Sequence, residues 1–169
     1  SSKLLQFYST SSYVDEALMM LGKSFYSLCN FQKSKRKFEE LIATEIDDDE
    51  IITEANLWIA KNAFELREFS QALELIKEVR IKAVEEDYEN IVKDSYVQEI
   101  KHRIREKEFP QAITLANEFA DVYDDDVVRA QINYELGKLY TLIDENDNAI
   151  LAYEKVFENE PDFDLQIIA

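Results

Sequence analysis

One pattern recurs four times along the chain. Leu21-Gly22, then Phe25, is followed by Ser34, Phe38 and Leu41. Ile59-Ala60 and Ala63 lead in the same way to Ala72, Ile76 and Val79. Glu99-Ile100 and Arg103 lead to Ala112, Ala116 and Phe119, and Leu136-Gly137 and Tyr140 lead to Ala149, Tyr153 and Val156. The small residue of the second half recurs in steps of 38, 40 and 37 residues, from Ser34 to Ala72, Ala112 and Ala149. A period of that length, carrying two apolar stripes at helical spacing, predicts stacked helical hairpins. A lone hairpin cannot bury its stripe, so neighbours must pack in series.

Composition agrees. With Gly 2 and Pro 2 in 169 residues, tight turns and sheets lack their usual residues. A hydrophobic content of 46% is enough for a packed core. The spacing predicts helices over 13–29, 31–45, 50–66, 69–85, 89–107, 109–123, 127–143 and 147–159. Phe31, Phe69 and Phe109 each sit three residues before the small residue, as plugs at the hairpin turn. Pro110 suits a first helical turn. The runs Asp47-Asp48-Asp49-Glu50 and Asp124-Asp125-Asp126 read as helix starts, where carboxylates meet the positive end of the helix dipole.

Leu136, Gly137, Tyr140, Ala149, Tyr153, Val156 and Pro161 resemble the signature of the tetratricopeptide repeat (TPR) position by position, with Asn133 where that family often has Trp. Leu18, Leu21, Gly22, Phe25, Phe38 and Leu41 resemble it too, and Glu99, Ile100 and Arg103 depart from it. The resemblance implies an all-α, right-handed α-solenoid of TPR-like hairpins. One solenoid segment would span 1–169, with repeats near 15–48, 53–87, 93–126 and 130–163 and partial repeats at both ends. Leu4, Leu5, Phe7 and Tyr8 at one end, and Phe163, Leu165, Ile167 and Ile168 at the other, read as stripes of adjoining repeats, as in a segment of a longer solenoid. The tracts Tyr8–Ala17 and Tyr123–Ala130 resemble junctions in bacterial envelope TPR proteins of the outer-membrane barrel-assembly lipoprotein and Tol-Pal-associated kind, with Ser9 and Asp124 where Pro is common there.

The net charge of −17 argues against nucleic acid as a partner. No 18-residue apolar run is present, so no direct membrane insertion is expected. The basic run Lys33, Lys35, Arg36, Lys37 reads as a solvated outer face. Cys29, the lone cysteine, excludes a disulfide framework and reads as an inert thiol in a hairpin turn.

Enzyme motifs are nearly absent. Two glycines cannot build a phosphate-cradling loop. Glu99 and His102 match half of a di-iron Glu-x-x-His pair, but a second half is missing and Lys101, Arg103 and Arg105 oppose a cation. His102 therefore reads as a surface residue. The Asp runs lack the alternating spacing of a calcium loop. With one His, no nucleophile, base and orienting group can be assembled. The reading is no enzyme, no catalytic residue, no metal and no cofactor.

A further periodicity lies on the first helices. The ninth position of each repeat is Lys23, Lys61, Lys101 and Lys138. The TPR resemblance implies that this position faces a concave groove, with Met19, Tyr26, Leu57, Phe64, Val97, Ile104 and Tyr134 beside it. Such a surface suits a peptide or protein partner with carboxylates and apolar anchors. The alternative is a set of solubilising lysines, or of ladder lysines neutralised by Glu16, Glu54, Glu65 and Glu135. The two-carboxylate clamp of chaperone-binding TPR domains is not reproduced, since Met19 and Trp58 stand where that clamp needs Asn. Trp58 itself reads either as packing between hairpins or as a groove anchor. The leading functional reading is a non-catalytic interaction scaffold. The alternatives are a module that self-associates end to end through its outer repeats, and an accessory domain of a larger enzyme.

Overall fold

Backbone turns of one kind set the repeat. In the computed structural model, which describes residues 12–44, 47–123 and 125–158, Cys29, Arg67, Lys107 and Asp144 have φ of 55°, 63°, 61° and 61°. None is glycine, although a left-handed conformation costs an L-residue roughly 1–2 kcal/mol. Hydrogen bonds offset that cost. The Cys29 N–H donates to the Tyr26 carbonyl and the Asn30 N–H to the Phe25 carbonyl, both at 2.8 Å. The same two bonds close the turns at Arg67–Glu68, Lys107–Glu108 and Asp144–Glu145. This double closure stops one helix and satisfies its last carbonyls. The residue that completes it then starts the next helix, because its carbonyl accepts from Ser34, Ala72, Ala112 or Ala149.

Eight helices result among the described residues: α1 Ser12–Ser27, α2 Phe31–Ile42, α3 Asp49–Glu65, α4 Phe69–Glu85, α5 Glu89–Arg105, α6 Phe109–Val122, α7 Asp126–Leu142 and α8 Asn146–Glu158. The predicted helices are all present, and 69–85 matches to the residue. The helix expected over 31–45 ends at Ile42, and the one expected over 89–107 ends at Arg105, ahead of the left-handed Lys107. Asp48 and Asp125 cap α3 and α7 by accepting from the Ile51 and Val128 N–H groups at 3.1 and 2.8 Å. Pro110 lies in the first turn of α6. Leu4, Leu5, Phe7, Tyr8, Asp124, Pro161, Phe163, Leu165, Ile167 and Ile168 lie outside the described residues.

The chain divides into two compact units, Ser1–Ser95 and Tyr96–Ala169. In the first, α1 packs on α2, α2 on α3 and α3 on α4, the serial order expected of stacked hairpins. Val14, Leu18, Phe38, Leu41, Ala55 and Ile59 form its core, with Trp58 and Leu75 packed against them. In the second, α6 packs on α7 and α7 on α8, and the Tyr96 and Phe119 rings stack at 4.9 Å.

In the first and fourth hairpins the helices cross where a small residue meets a large one. A Cβ on Gly22 would overlap the Phe38 ring, and one on Gly137 the Tyr153 ring. Counted from the turn, these pairs share one register, in which Ala60 falls with Ile76 and Ile100 with Ala116. The third hairpin thus carries the bulk on its first helix instead of its second. That inversion accounts for Ile100 standing where the other repeats have Gly or Ala. Beside the first crossing, the buried Ser34 hydroxyl donates to the Gly22 carbonyl at 2.9 Å.

Two expectations need correction. Lys35 and Lys37 do not lie on a solvated face. Both are half-buried and paired, Lys35 with Glu68 and Lys37 with Glu40, each at 2.5 Å. Only Lys33 and Arg36 of that run are exposed. His102 is not a surface residue either: it is 3% exposed.

Gly22→Ala should lower the chemical-unfolding midpoint. Ala is the better helix former by about 1 kcal/mol, but Phe38 is fully buried and stacked on Trp58, so overpacking of about 1–3 kcal/mol dominates. Gly137→Ala should cost less, because Tyr153 is half-buried and can tilt away. A raised midpoint for Gly22→Ala would remove Gly22 from the crossing.

Candidate first-helix recognition surface

The residues singled out on the first helices share three register positions. Ten residues before the turn stand Met19, Leu57, Val97 and Tyr134; six before it, the four lysines; three before it, Tyr26, Phe64 and Ile104, with Thr141 in the fourth hairpin. Ten, six and three residues lie on one side of a helix. Their burial differs sharply. Met19, Tyr26, Val97, Ile104 and Tyr134 are half-buried, whereas Leu57 and Phe64 are sealed in the core. Phe64 is therefore not the exposed anchor that the pattern suggests.

The lysines are equally unlike one another. Lys23 Nζ bonds Glu54 at 2.8 Å, and Lys61 Nζ bonds Asp94 at 2.6 Å. In each case a lysine reaches a carboxylate on the next first helix. Lys61 is 5% exposed, so this bond holds the fold. Removing its partner would strand a buried ammonium, which typically costs about 3–5 kcal/mol. Lys138 instead bonds both Glu135 oxygens at 2.9 Å on its own helix, which raises its pKa above the ordinary value. Lys101 is exposed and makes no ion pair among the described residues. Of the neutralising carboxylates suggested by sequence, Glu54 and Glu135 take that role. Lys61 pairs with Asp94 rather than Glu65, because the ladder runs from one hairpin to the next and not only along one helix.

Trp58 is the hub of this surface in the first unit. Its indole stacks on Phe38 at 5.7 Å and meets Tyr26 edge-on at 5.2 Å. Lys61 Nζ lies 4.0 Å and Lys23 Nζ 5.7 Å from its ring centroid, and its Nε1–H donates to Glu54 at 3.2 Å. Each cation over an indole face contributes about 0.5–2 kcal/mol, more when dry. Trp58 is thus chiefly packing between hairpins.

Sequence reasoning missed a polar cluster on α5. Glu99, 2% exposed, accepts from Arg103 at 3.1 Å, and Arg103 also donates to Glu108 at 2.5 Å. Burial alone would depress the Arg103 pKa, but the bonds to Glu108 and Glu99 outweigh it and raise the value. These residues occupy the register of Leu21 and Phe25 in the first hairpin. A charged pair therefore replaces an apolar one, and the four-residue Glu-to-Arg spacing was the available signal. His102 lies beside it with its pKa pushed down by burial; Glu106 opposes that shift, and Arg103 and Arg105 add to it. Among the described residues no group of three or more His, Cys, Asp or Glu could hold a metal, and no helix is long and apolar enough to cross a membrane.

No protein-family model and no curated protein matches the chain. Solved structures do. The crystal structure of MamA aligns over 94% of this chain and 84% of that one, with TM-score 0.65 and 15% identity. TTC0263, a thermophilic TPR protein of Thermus thermophilus, aligns over 90% of this chain and 95% of that one, with TM-score 0.40 and 19% identity, too loose a fit to argue from. The fold is an all-α helical repeat of TPR-like hairpins.

Stability should fall on acidification through His102. Its folded pKa lies below the ordinary 6.5, so in the interval between the two values the unfolded chain binds more protons. The stabilisation is fully present above that interval and is lost as pH falls through it. His102→Leu, with the residue that Leu139 supplies in the fourth hairpin, should flatten this dependence. Unfolding midpoints of both proteins from about pH 7 to about pH 5 check it; parallel curves would contradict a neutral buried imidazole.

Proposed function

We propose that this TPR-like repeat is a non-catalytic scaffold that holds a peptide segment of a partner protein along its first helices. The observation that carries the reading is one recurring register, apolar residue, lysine, apolar residue, whose members Met19, Tyr26, Val97, Ile104 and Tyr134 stay half-buried rather than sealed. Rigid aromatic and branched side chains of that kind are the usual anchors of an interface. Within either unit, a segment laid across its first helices meets a few side chains per hairpin. Exposed ion pairs contribute only about 0–1 kcal/mol each, so the apolar anchors supply most of the affinity. Leu57, Lys61 and Phe64 support the surface from beneath. The junction resemblance adds a bacterial envelope as the setting.

Selection of random displayed peptides on the purified chain tests this. Enriched peptides should weaken about tenfold with Tyr134→Ala or Val97→Asp, a change of about 1.4 kcal/mol. They should be unaffected by Lys33→Glu/Arg36→Glu, which alters exposed positions on α2. No enrichment, or equal loss in the α2 control, would sink the groove reading.

A second reading, end-to-end self-association, is favoured by the outer hairpins. α1 and the turn that follows it expose Tyr13, Met20, Leu21 and Leu28, with Met20 67% exposed. The same register in α3 is Ile51, Trp58, Ile59 and Leu66, and the first three of these pack with α2 residues in the core. α8 exposes Ile150 and Phe157, in the register of Lys35 and Ile42 on α2. A second copy could seat α1 on α8 as α3 sits on α2. Sedimentation over a hundredfold concentration range should then show growth that Met20→Glu and Phe157→Glu each abolish. A monomer throughout would dismiss this reading.

A further inference from the structure

The lysine ladder is closed twice and open once. Glu54 and Asp94, the carboxylates that bond Lys23 and Lys61, share one register, thirteen residues before the left-handed Arg67 and Lys107. In α7 that place, thirteen residues before Asp144, belongs to Gln131. Gln131 is exposed and neutral. Lys101, whose rung it would close, has Val97, Gln98, Ile104 and Arg105 one helical turn away on α5 and no carboxylate among them. Lys138 does not share this condition, since Glu135 neutralises it locally.

We infer that Lys101 is the rung left open for a partner's carboxylate, so that the bound segment carries an Asp or Glu next to an apolar side chain seated by Val97, Ile104 or Tyr134. This rests on the groove reading above and narrows it to α5–α7 within the second unit. The physical argument is one of competition. At Lys23 a ligand carboxylate must displace Glu54 from a 2.8 Å bond, and Lys61 is buried with Asp94. At Lys101 nothing has to leave. A chain of net charge −17 repels an acidic segment at a distance, so its preference for one acid has to come from a local cation not already shared. The amide at Gln131 leaves that cation unshared without burying a charge.

The substitution that tests this supplies the missing internal carboxylate. Peptides selected on the wild-type chain should carry an acid at a constant place beside an apolar residue. Changing that acid to its amide should weaken binding about twofold to fivefold, the range of an exposed charge pair. Lys101→Gln should bind the acid and amide peptides equally. Gln131→Glu should also erase the preference while keeping the Tyr134-dependent binding, and Lys23→Gln should leave the preference intact. Both Lys101 and Gln131 are exposed, so neither variant threatens folding, and melting curves would verify that. Tyr134-dependent peptides with no acid preference, or a preference that survives Gln131→Glu and Lys101→Gln, would overturn the assignment of Lys101 while leaving the groove reading standing. Absence of any Tyr134-dependent peptide would defeat both.

Discussion

The contact between a small residue on one helix and a ring on the next governs the first and the fourth hairpin. Gly22 admits Phe38, and Gly137 admits Tyr153. That approach is possible only because the turn between the helices is short and fixed. A single left-handed residue, held by two backbone hydrogen bonds, sets the distance from turn to crossing in all four hairpins. Every other regularity follows from it. The buried Ser34, Ala72, Ala112 and Ala149, the four lysines, and the two carboxylates Glu54 and Asp94 stand at constant offsets from that turn. The chain has two glycines, both at crossings, and leaves the left-handed positions to Cys, Arg, Lys and Asp. Steric relief inside the interface thus takes priority over backbone freedom at the turn, where hydrogen bonds can compensate.

The third hairpin meets the same geometric demand with different chemistry. Its bulk moves to Ile100 on the first helix while Ala116 stands on the second, so the summed volume at the crossing is roughly conserved. The neighbouring apolar pair becomes Glu99 and Arg103, with Glu108 completing the network. Buried charges are tolerated only when paired and hydrogen-bonded, and Arg, with its planar fork, can serve two carboxylates at once. His102 belongs to this polar stretch, its pKa pushed down by burial.

The same register that stacks the helices also decides which cations are shared with a carboxylate and which are not. A lysine at one constant position becomes a structural bond where the next first helix offers Glu54 or Asp94, and a local one where Glu135 stands nearby. Trp58 deepens the difference in the first unit, because its indole draws both Lys23 and Lys61 toward packed surroundings. Four residues that look equivalent therefore range from the sealed Lys61 to the exposed Lys101.

The sequence alone determined the architecture. Helical periodicity, a constant spacing of small residues and the scarcity of Gly and Pro located the eight helices and four hairpins of the described residues, because these signals report local backbone geometry and the burial of one face. It also put the capping carboxylates Asp48 and Asp125 and the first-turn Pro110 in place, since those act within a few residues of themselves. Only the tertiary structure decided what depends on a neighbour far along the chain. It buried His102, Leu57 and Phe64, paired Lys61 with Asp94 instead of Glu65, and drew Lys35 into an ion pair with Glu68. The physical reason is that helical periodicity says which residues share a face, while the second helix that covers the face, or the carboxylate that reaches it, comes from another repeat.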